Sequence, residues 1–413
     1  LNHVGGMESL LSKLSGLLGS DAVHENTIKF IPPVPDTGVT TSAFWESPFS
    51  KFLIFIGVMW WSHHGTDGGG YIIQRMSSAK NERHALLATL WFNLAHYALR
   101  VWPWVIVAVV SIVMFPVIPD SYSELGVKAG YPLVMNTLLG PGLKGILIVS
   151  FLAAFMSTID THLNWASSYI INDIYKRFFK PDESESHYVL VGKISTAILM
   201  VMAAFTAMKM QSISKAWEFI FSMGAGIGLV LILRWFWWRV NAWSEITALS
   251  TSIIVTLILE TIAGIQTIQA GNEYTLFGSA PVLFGISLQI HHKLMIIVPL
   301  AVTAWIAATF FTKPEPNEIL TKFYQRVQPG GWWGPISQQI IHTMEPVTHG
   351  FIVQWIAGIM MIYGFTFGIG SLVFTKYSQA VVLLGFAMLG TFLVWNRSIS
   401  KLNKTQRTQT TQS

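Results

Sequence analysis

Two stretches of this chain carry polar residues whose types and spacing can do chemistry. The first is WWSHHGTDGGGYIIQR, Trp60 to Arg75, which extends a ten-residue run, FLIFIGVMWW, without a polar side chain. Ser62, His63, His64, Gly65 and Asp67 there offer a hydroxyl, two imidazoles, open backbone and a carboxylate. The second is GILIVSFLAAFMSTIDTHLNWASSYIINDIYKRF, Gly145 to Phe178. It sets Ala154, Ser157, Thr158, Thr161 and Trp165 on one helical face by their i, i+3, i+4, i+7, i+11 spacing, with Asp160 and Asn164 on its flank. Small alkali cations take hard oxygen ligands, and backbone carbonyls with two neighbouring hydroxyls provide them without several buried charges. Hydroxyls on membrane helices also bond back to the preceding turn, and the chemistry of this face alone does not separate the two uses.

Other chemistries fit these residues less well. A phosphate loop needs a Lys after its glycines and a strand before them, and no Lys follows this glycine run. His63 and His64 are adjacent, so on a helix they diverge and do not readily share a metal. A membrane enzyme using His63, His64 and Asp67 is therefore the weaker reading.

The elements that position these residues follow from composition. Of 413 residues, 52% are hydrophobic and only 11% are charged, and the mean hydropathy is +0.50. Soluble domains carry about a quarter charged residues, so much of this surface must face lipid. With no cysteine, disulfides and thiolate metal sites are excluded. A net charge of +5 could suggest nucleic acid, but basic residues in membrane loops account for it better, and no nucleic-acid partner is expected. No short-period repeat or low-complexity tract is present. The chain starts at Leu1 without an initiator Met or a signal-peptide pattern, which raises the expectation of a fragment.

Apolar runs of spanning length fall at roughly 52–74, 86–116, 141–172, 188–210, 214–238, 243–265, 290–312, 351–373 and 379–396. Basic residues cluster in alternate connections: Arg75, Lys80 and Arg83; Lys176, Arg177 and Lys180; Arg234 and Arg239; Lys313, Lys322 and Arg326; and the tail with Arg397, Lys401, Lys404 and Arg407. The positive-inside rule makes that side cytoplasmic, with the N-terminus outside and the C-terminus inside a multi-pass protein of the cell membrane. Outside the spans lie a Pro/Gly-rich start after the amphipathic piece MESLLSKLSGLLG, an external loop at 117–140 and an internal linker at 313–350.

The first span is the unusual one. If Arg75 marks the interface, Asp67 lies eight residues deeper, about 12 Å into the hydrocarbon. Four glycines in six residues each cost a helix about 1 kcal/mol, and bare backbone at that depth needs protein or a wet cavity to satisfy it. Secondary transporters break helices near mid-membrane in this way to face a solute or ion. The alternative is a span that ends early in a surface turn, although Phe52 to Trp61 alone is too short to cross. Asp160 is sixteen residues before Lys176, about 24 Å of helix. An aspartate so placed costs about 2.5–3.5 kcal/mol on insertion scales and should face a cavity or a partner.

These residues resemble a known family. AAFMSTID with NDIYKRF looks like the eighth core helix of the sodium:solute symporter family. GYIIQRMSSAKNERHA resembles the sixth with the internal loop after it, and FSMGAGIGLVLILRWFWWRVNAW the tenth. The likeness runs in order over roughly residues 50–240.

It implies an all-α polytopic membrane protein holding the second half of an inverted-repeat, five-plus-five helix transporter. Residues 1–50 would be an external segment, 51–240 second-repeat core helices, 241–396 accessory transmembrane helices with the linker 313–350, and 397–413 a cytoplasmic tail. The N-terminal helices would be missing from the chain.

Carried over by position, the resemblance implies a sodium ion as coupling ion, held by the Ala154 carbonyl and the Ser157 and Thr158 hydroxyls. It also implies contacts to a small organic solute from Ser62, His63, His64, Gly65 and Asp67, from His96 on the seventh core helix, and from Trp217, beside Glu218, at the outer gate. His96 lies one turn from Arg100, with Pro103 after them, and a satisfied packing pair is the alternative there. An interfacial anchor is the alternative for Trp217. HHGTDGGG departs from the aromatic and amide residues of the family's sugar transporters, so the solute need not be a sugar. Asp160 and His162 depart as well, and with Thr161 they form a candidate second ion or proton site. The expected function is sodium-coupled symport by alternating access, with no enzyme chemistry. A transporter-like sensor module is the rival, against which the short tail after Asn396 argues.

Overall fold

The computed structural model describes every residue except 1, 19–29, 37, 40, 124, 211, 273–279, 284, 328, 340–347 and 397–413. The proposed tail at 397–413, part of the linker and the basic residues Lys29, Arg397, Lys401, Lys404 and Arg407 lie outside the described residues. Helices account for about four fifths of the described residues, which also hold one hairpin pairing Val282–Leu283 and Ile286–Ser287.

Thirteen helices matter to the argument: α1 Gly6–Leu18, α2 Pro48–Ser62, α3 Gly69–Ser77, α4 Glu82–Met114, α5 Pro141–Phe179, α6 Glu185–Lys209, α7 Ile213–Met223, α8 Gly228–Phe236, α9 Ala242–Gln269, α10 Ile290–Phe311, α11 Asn317–Val327, α12 Thr348–Val373 and α13 Tyr377–Val394. Counting α7 and α8 as one run, eight are long and apolar enough to cross a membrane among the described residues. They fall where the apolar runs after the first lie. The first run is the broken pair α2 and α3. The connection at 117–140, expected as a loop, carries a short helix, Gly130–Leu138, and the linker carries α11.

Helix starts follow local chemistry. Ser47 accepts a bond from the Ser50 amide with Pro48 at the first turn of α2, Asn81 accepts from the His84 amide at α4, and Ser184 caps α6. Each side chain satisfies an amide that the helix leaves unpaired.

The chain forms two compact units. One comprises Leu1–Gly130, Glu218–Ile262 and Pro281–Ser413; the other comprises Tyr131–Trp217 and Ala263–Ala280. In the first unit, Ile54, Ala225, Leu259, Leu294, Ile297 and Val298 form a core under α2. Val230, Val240, Ala248 and Trp305 continue it under α8. α12 and α13 cross on small residues: a Cβ on Gly364 would stand 2.8 Å from the Ala387 backbone nitrogen. Small residues let membrane helices approach where lipid offers no hydrophobic drive. In the second unit, α5 and α6 meet where the Ser167 hydroxyl donates to the Gly192 carbonyl, 3.0 Å away. Their outer faces expose many large apolar side chains, among them Ile146, Val149, Leu152, Met156 and Val201. A soluble chain could not leave such a surface uncovered.

Candidate functional site

The break between α2 and α3 has a defined structure. The helix stops at His63, whose backbone turns extended at φ −91°, ψ 165°. The His63 Nδ1 accepts from the Gly65 amide at 2.8 Å, and the Thr66 hydroxyl donates to the His63 carbonyl at 2.8 Å. Gly68 and Gly69 hold φ of +93° and +66°, the left-handed region that side chains resist. Asp67 then restarts the helix: its Oδ1 accepts from the Gly69 amide at 2.9 Å. The glycines are therefore the hinge of a shaped loop, after which α3 resumes for nine residues.

A second discontinuity faces the first. The run expected as one span at 214–238 is interrupted at 224–227, between α7 and α8. Its cause is packing. A Cβ on Gly228 would overlap the carbonyl oxygens of Trp61 and His63, and one on Gly224 would stand 2.6 Å from the His64 Nδ1. Gly224 and Gly228 thus let the segment between α7 and α8 press against the end of α2, while Gly226 lets it close on Ser252 and Ala248 of α9 and Ala301 of α10. The GAGIG spacing was visible in the sequence; the identity of its neighbour was not.

The charge of Asp67 is answered from the same segment. Arg234 on α8 donates from Nη2 to the Asp67 Oδ2 at 2.9 Å and from Nη1 to the Glu245 Oε1 at 3.2 Å. The Asp67 carboxylate is 12% exposed. From the sequence Arg234 is an interfacial basic residue, and nothing there singles out Glu245. A lone arginine closing the apolar run GLVLILR was the available signal.

The other solute-contact residues divide. Ser62 is buried, and its hydroxyl has no hydrogen-bond partner among the described residues. The rings of His63 and His64 stand 5.6 Å apart, and His63 is 6.1 Å from Phe221. His96 sits in a widened π-type turn of α4, Leu94–Leu99, stacked on Phe92 at 4.9 Å. Its Nε2 is 3.3 Å from the Arg100 Nη2, so this pair is made at the helix surface and not in a packed interior. Trp217 is 52% exposed on α7, where it closes the second unit.

On α5 the Thr158 hydroxyl donates to the Ala154 carbonyl at 2.9 Å and the Thr161 hydroxyl to the Ser157 carbonyl at 2.8 Å. Of the back-bonds open to Ser157 and Thr158, only that of Thr158 is made among the described residues, and Thr161 adds a second. They use each hydroxyl's proton and leave its oxygen lone pairs for a cation, so both uses fit together. Asp160 accepts from the Asn164 amide at 2.9 Å, and His162 is exposed. The whole face from Ala154 to Asp160 lies open within its unit apart from Ile159. No cluster of three or more His, Cys, Asp or Glu suited to a metal occurs among the described residues.

An all-α polytopic chain with a glycine-hinged break inside its first apolar run has the architecture of a membrane transporter. The chain belongs to the sodium:solute symporter family, whose model matches residues 1–276. It is 26% identical over 166 residues to the osmoregulated proline transporter of Bacillus subtilis, covering 38% of this chain and 33% of that one. It is 30% identical over 128 residues to a high-affinity proline transporter of the same organism, covering 30% and 26%. Sodium/glucose cotransporter 4 of Danio rerio is 25% identical over 287 residues, covering 63% and 40%. The chain thus spans well under half the length of these relatives.

Proposed function

We propose that this chain is the second-repeat half and accessory region of a sodium-coupled symporter for a small organic solute, working by alternating access in the cell membrane. The observation that supports it best is the braced break: α2 ends in the membrane run, Gly228 closes on its last carbonyls, and Arg234 answers Asp67. Such a loop pairs its own amides and leaves the buried Ser62 hydroxyl without a partner among the described residues, open to whatever lies alongside. Residues 51–240 supply the core, 241–396 the accessory helices, and the C-terminus lies inside.

Sodium is held on α5 by the Ala154 carbonyl and the Ser157 and Thr158 hydroxyls, and Asp160, Thr161 and His162 form a second ion or proton site. The remaining ligands come from core helices of the first repeat. Solute contacts come from Ser62, His63, His64, Gly65 and His96, with Trp217 at the outer gate. Asp67 acts on that loop through its amide and Arg234 bonds. Sodium binding favours the outward-open form, solute joins it, and the closed form then opens inward; a ligand shifts this equilibrium only by its differential affinity for the two forms. Proline and glucose, carried by the relatives, bracket the solute class without fixing it.

The test does not need the solute. Full-length protein in proteoliposomes is melted in sodium and in potassium salts of equal ionic strength. Sodium at about a hundred times its dissociation constant should stabilise the folded protein by about 2.7 kcal/mol. Labelled proline and glucose are then offered with an inward sodium gradient. Identical melting in both salts, with uptake indifferent to the gradient, would remove the sodium-coupled reading.

A further inference from the structure

A cavity of about 780 Å3 opens beside the break, within the first unit. Its walls are α3, the start of α4, α8 and the residues Val327, Pro329 and Gly330, so it lies on the α3 side of Asp67 rather than at Ser62 to Gly65. The walls are apolar and partly aromatic, with Leu231, Trp235 and Phe236 among them. Its volume is that of ordinary small-molecule sites, which pair apolar walls with a few polar groups.

Its charges are of one sign. Asp67 and Glu82 are the charged residues that line it; Lys80, Arg83 and Arg234 do not. The single positive charge of Arg234 is divided between two carboxylates, Asp67 and Glu245, so that cluster keeps one net negative charge. Glu82 is exposed and makes no ion pair among the described residues. Carboxylates at the rim of an apolar, aromatic chamber attract a cation, and aromatic faces add to the attraction.

We propose that this cavity binds an organic cation, an ammonium head on a compact apolar body, with Glu82 and Asp67 as counter-charges and Trp235 and Phe236 against the body. This inference goes beyond the symport reading and does not depend on which solute is carried. A ligand there braces α3 against α8 and so opposes any cycle that moves them apart.

The experiment measures saturation binding of radiolabelled benzyltrimethylammonium to the full-length protein in lipid nanodiscs, against its neutral carbon isostere, neopentylbenzene. The cation should bind saturably, with the neutral compound at least ten-fold weaker. Glu82→Gln, at an exposed position, should weaken the cation three-fold or more and leave neopentylbenzene unchanged. Leu231→Trp should fill the cavity and abolish binding; if that variant does not fold, Ala85→Leu at the rim serves, with at least a five-fold loss. Equal binding of the two compounds would mark an apolar slot for lipid or detergent tails and overturn the proposal. So would cation binding that survives both the Glu82 and the cavity-filling variants.

Discussion

Arg234 and Asp67, separated by 167 residues, are joined by a 2.9 Å hydrogen-bonded ion pair at the restart of the chain into α3 after its break. The same guanidinium reaches Glu245 at 3.2 Å, so α8, α9 and the loop before α3 share one positive charge. Breaking a buried pair leaves an unanswered charge, which costs more than losing both partners together. Here the partners are partly exposed, Arg234 by 35%, so the cost lies between the surface and buried limits.

Arg234→Ala is accordingly expected to lower stability by about 1–3 kcal/mol. The double variant Asp67→Asn with Arg234→Gln should recover part of that loss. A thermal double-mutant cycle in detergent checks this; additive losses from the two sites would mean that the pair is not coupled.

The close approach of Gly228 to Trp61 and His63 predicts a steep position dependence for alanine. Gly228→Ala must push α8 away from the end of α2, and a loss of about 1–3 kcal/mol with transport reduced ten-fold or more is expected. Gly145→Ala, where no atom lies within 4 Å of the added carbon, should melt and transport as the parent does. The comparison is made on both readouts, since a general glycine effect would move the two variants alike.

For α5, Ser157→Ala combined with Thr158→Ala is expected to raise the sodium concentration needed for half-maximal transport at least ten-fold. The melting temperature without sodium should hardly move, because the one hydroxyl bond lost, from Thr158 to the Ala154 carbonyl, runs back along an exposed helix. Thr158→Ser, which keeps the oxygen, should restore most of the sodium affinity. A sodium titration of uptake unchanged in the double variant would be falsifying for the sodium ligands proposed here.

Lys293 and Glu260 form a second ion pair, 2.5 Å apart and with the lysine side chain only 6% exposed, between α10 and α9. It joins α10 to α9 and involves no residue of the break. Lys293→Ala alone should destabilise by about 3–5 kcal/mol, and Lys293→Met with Glu260→Gln by much less. Sodium dependence should be unaffected in whichever variant folds, as read by the same salt titration.

Much of the architecture was legible in the amino-acid order because its causes are local. Span length against bilayer thickness fixed the eight long apolar helices to within a few residues at most ends. Capping by Ser47, Asn81 and Ser184 could be read in the same way, and four glycines in six residues announced the hinge at 65–70. The resemblance of three motifs to one family likewise needed only the chain. Tertiary structure decided what those features meet. No local pattern joins Asp67 to Arg234, assigns Gly228 to the carbonyls of α2, or interrupts the span at 224–227, since each depends on which helix faces which. Within lipid, apolar surfaces are nearly interchangeable, so hydrophobic order along the chain places helices but does not pair them; charge pairs and small-residue contacts do that, and they exist only once the chain has folded.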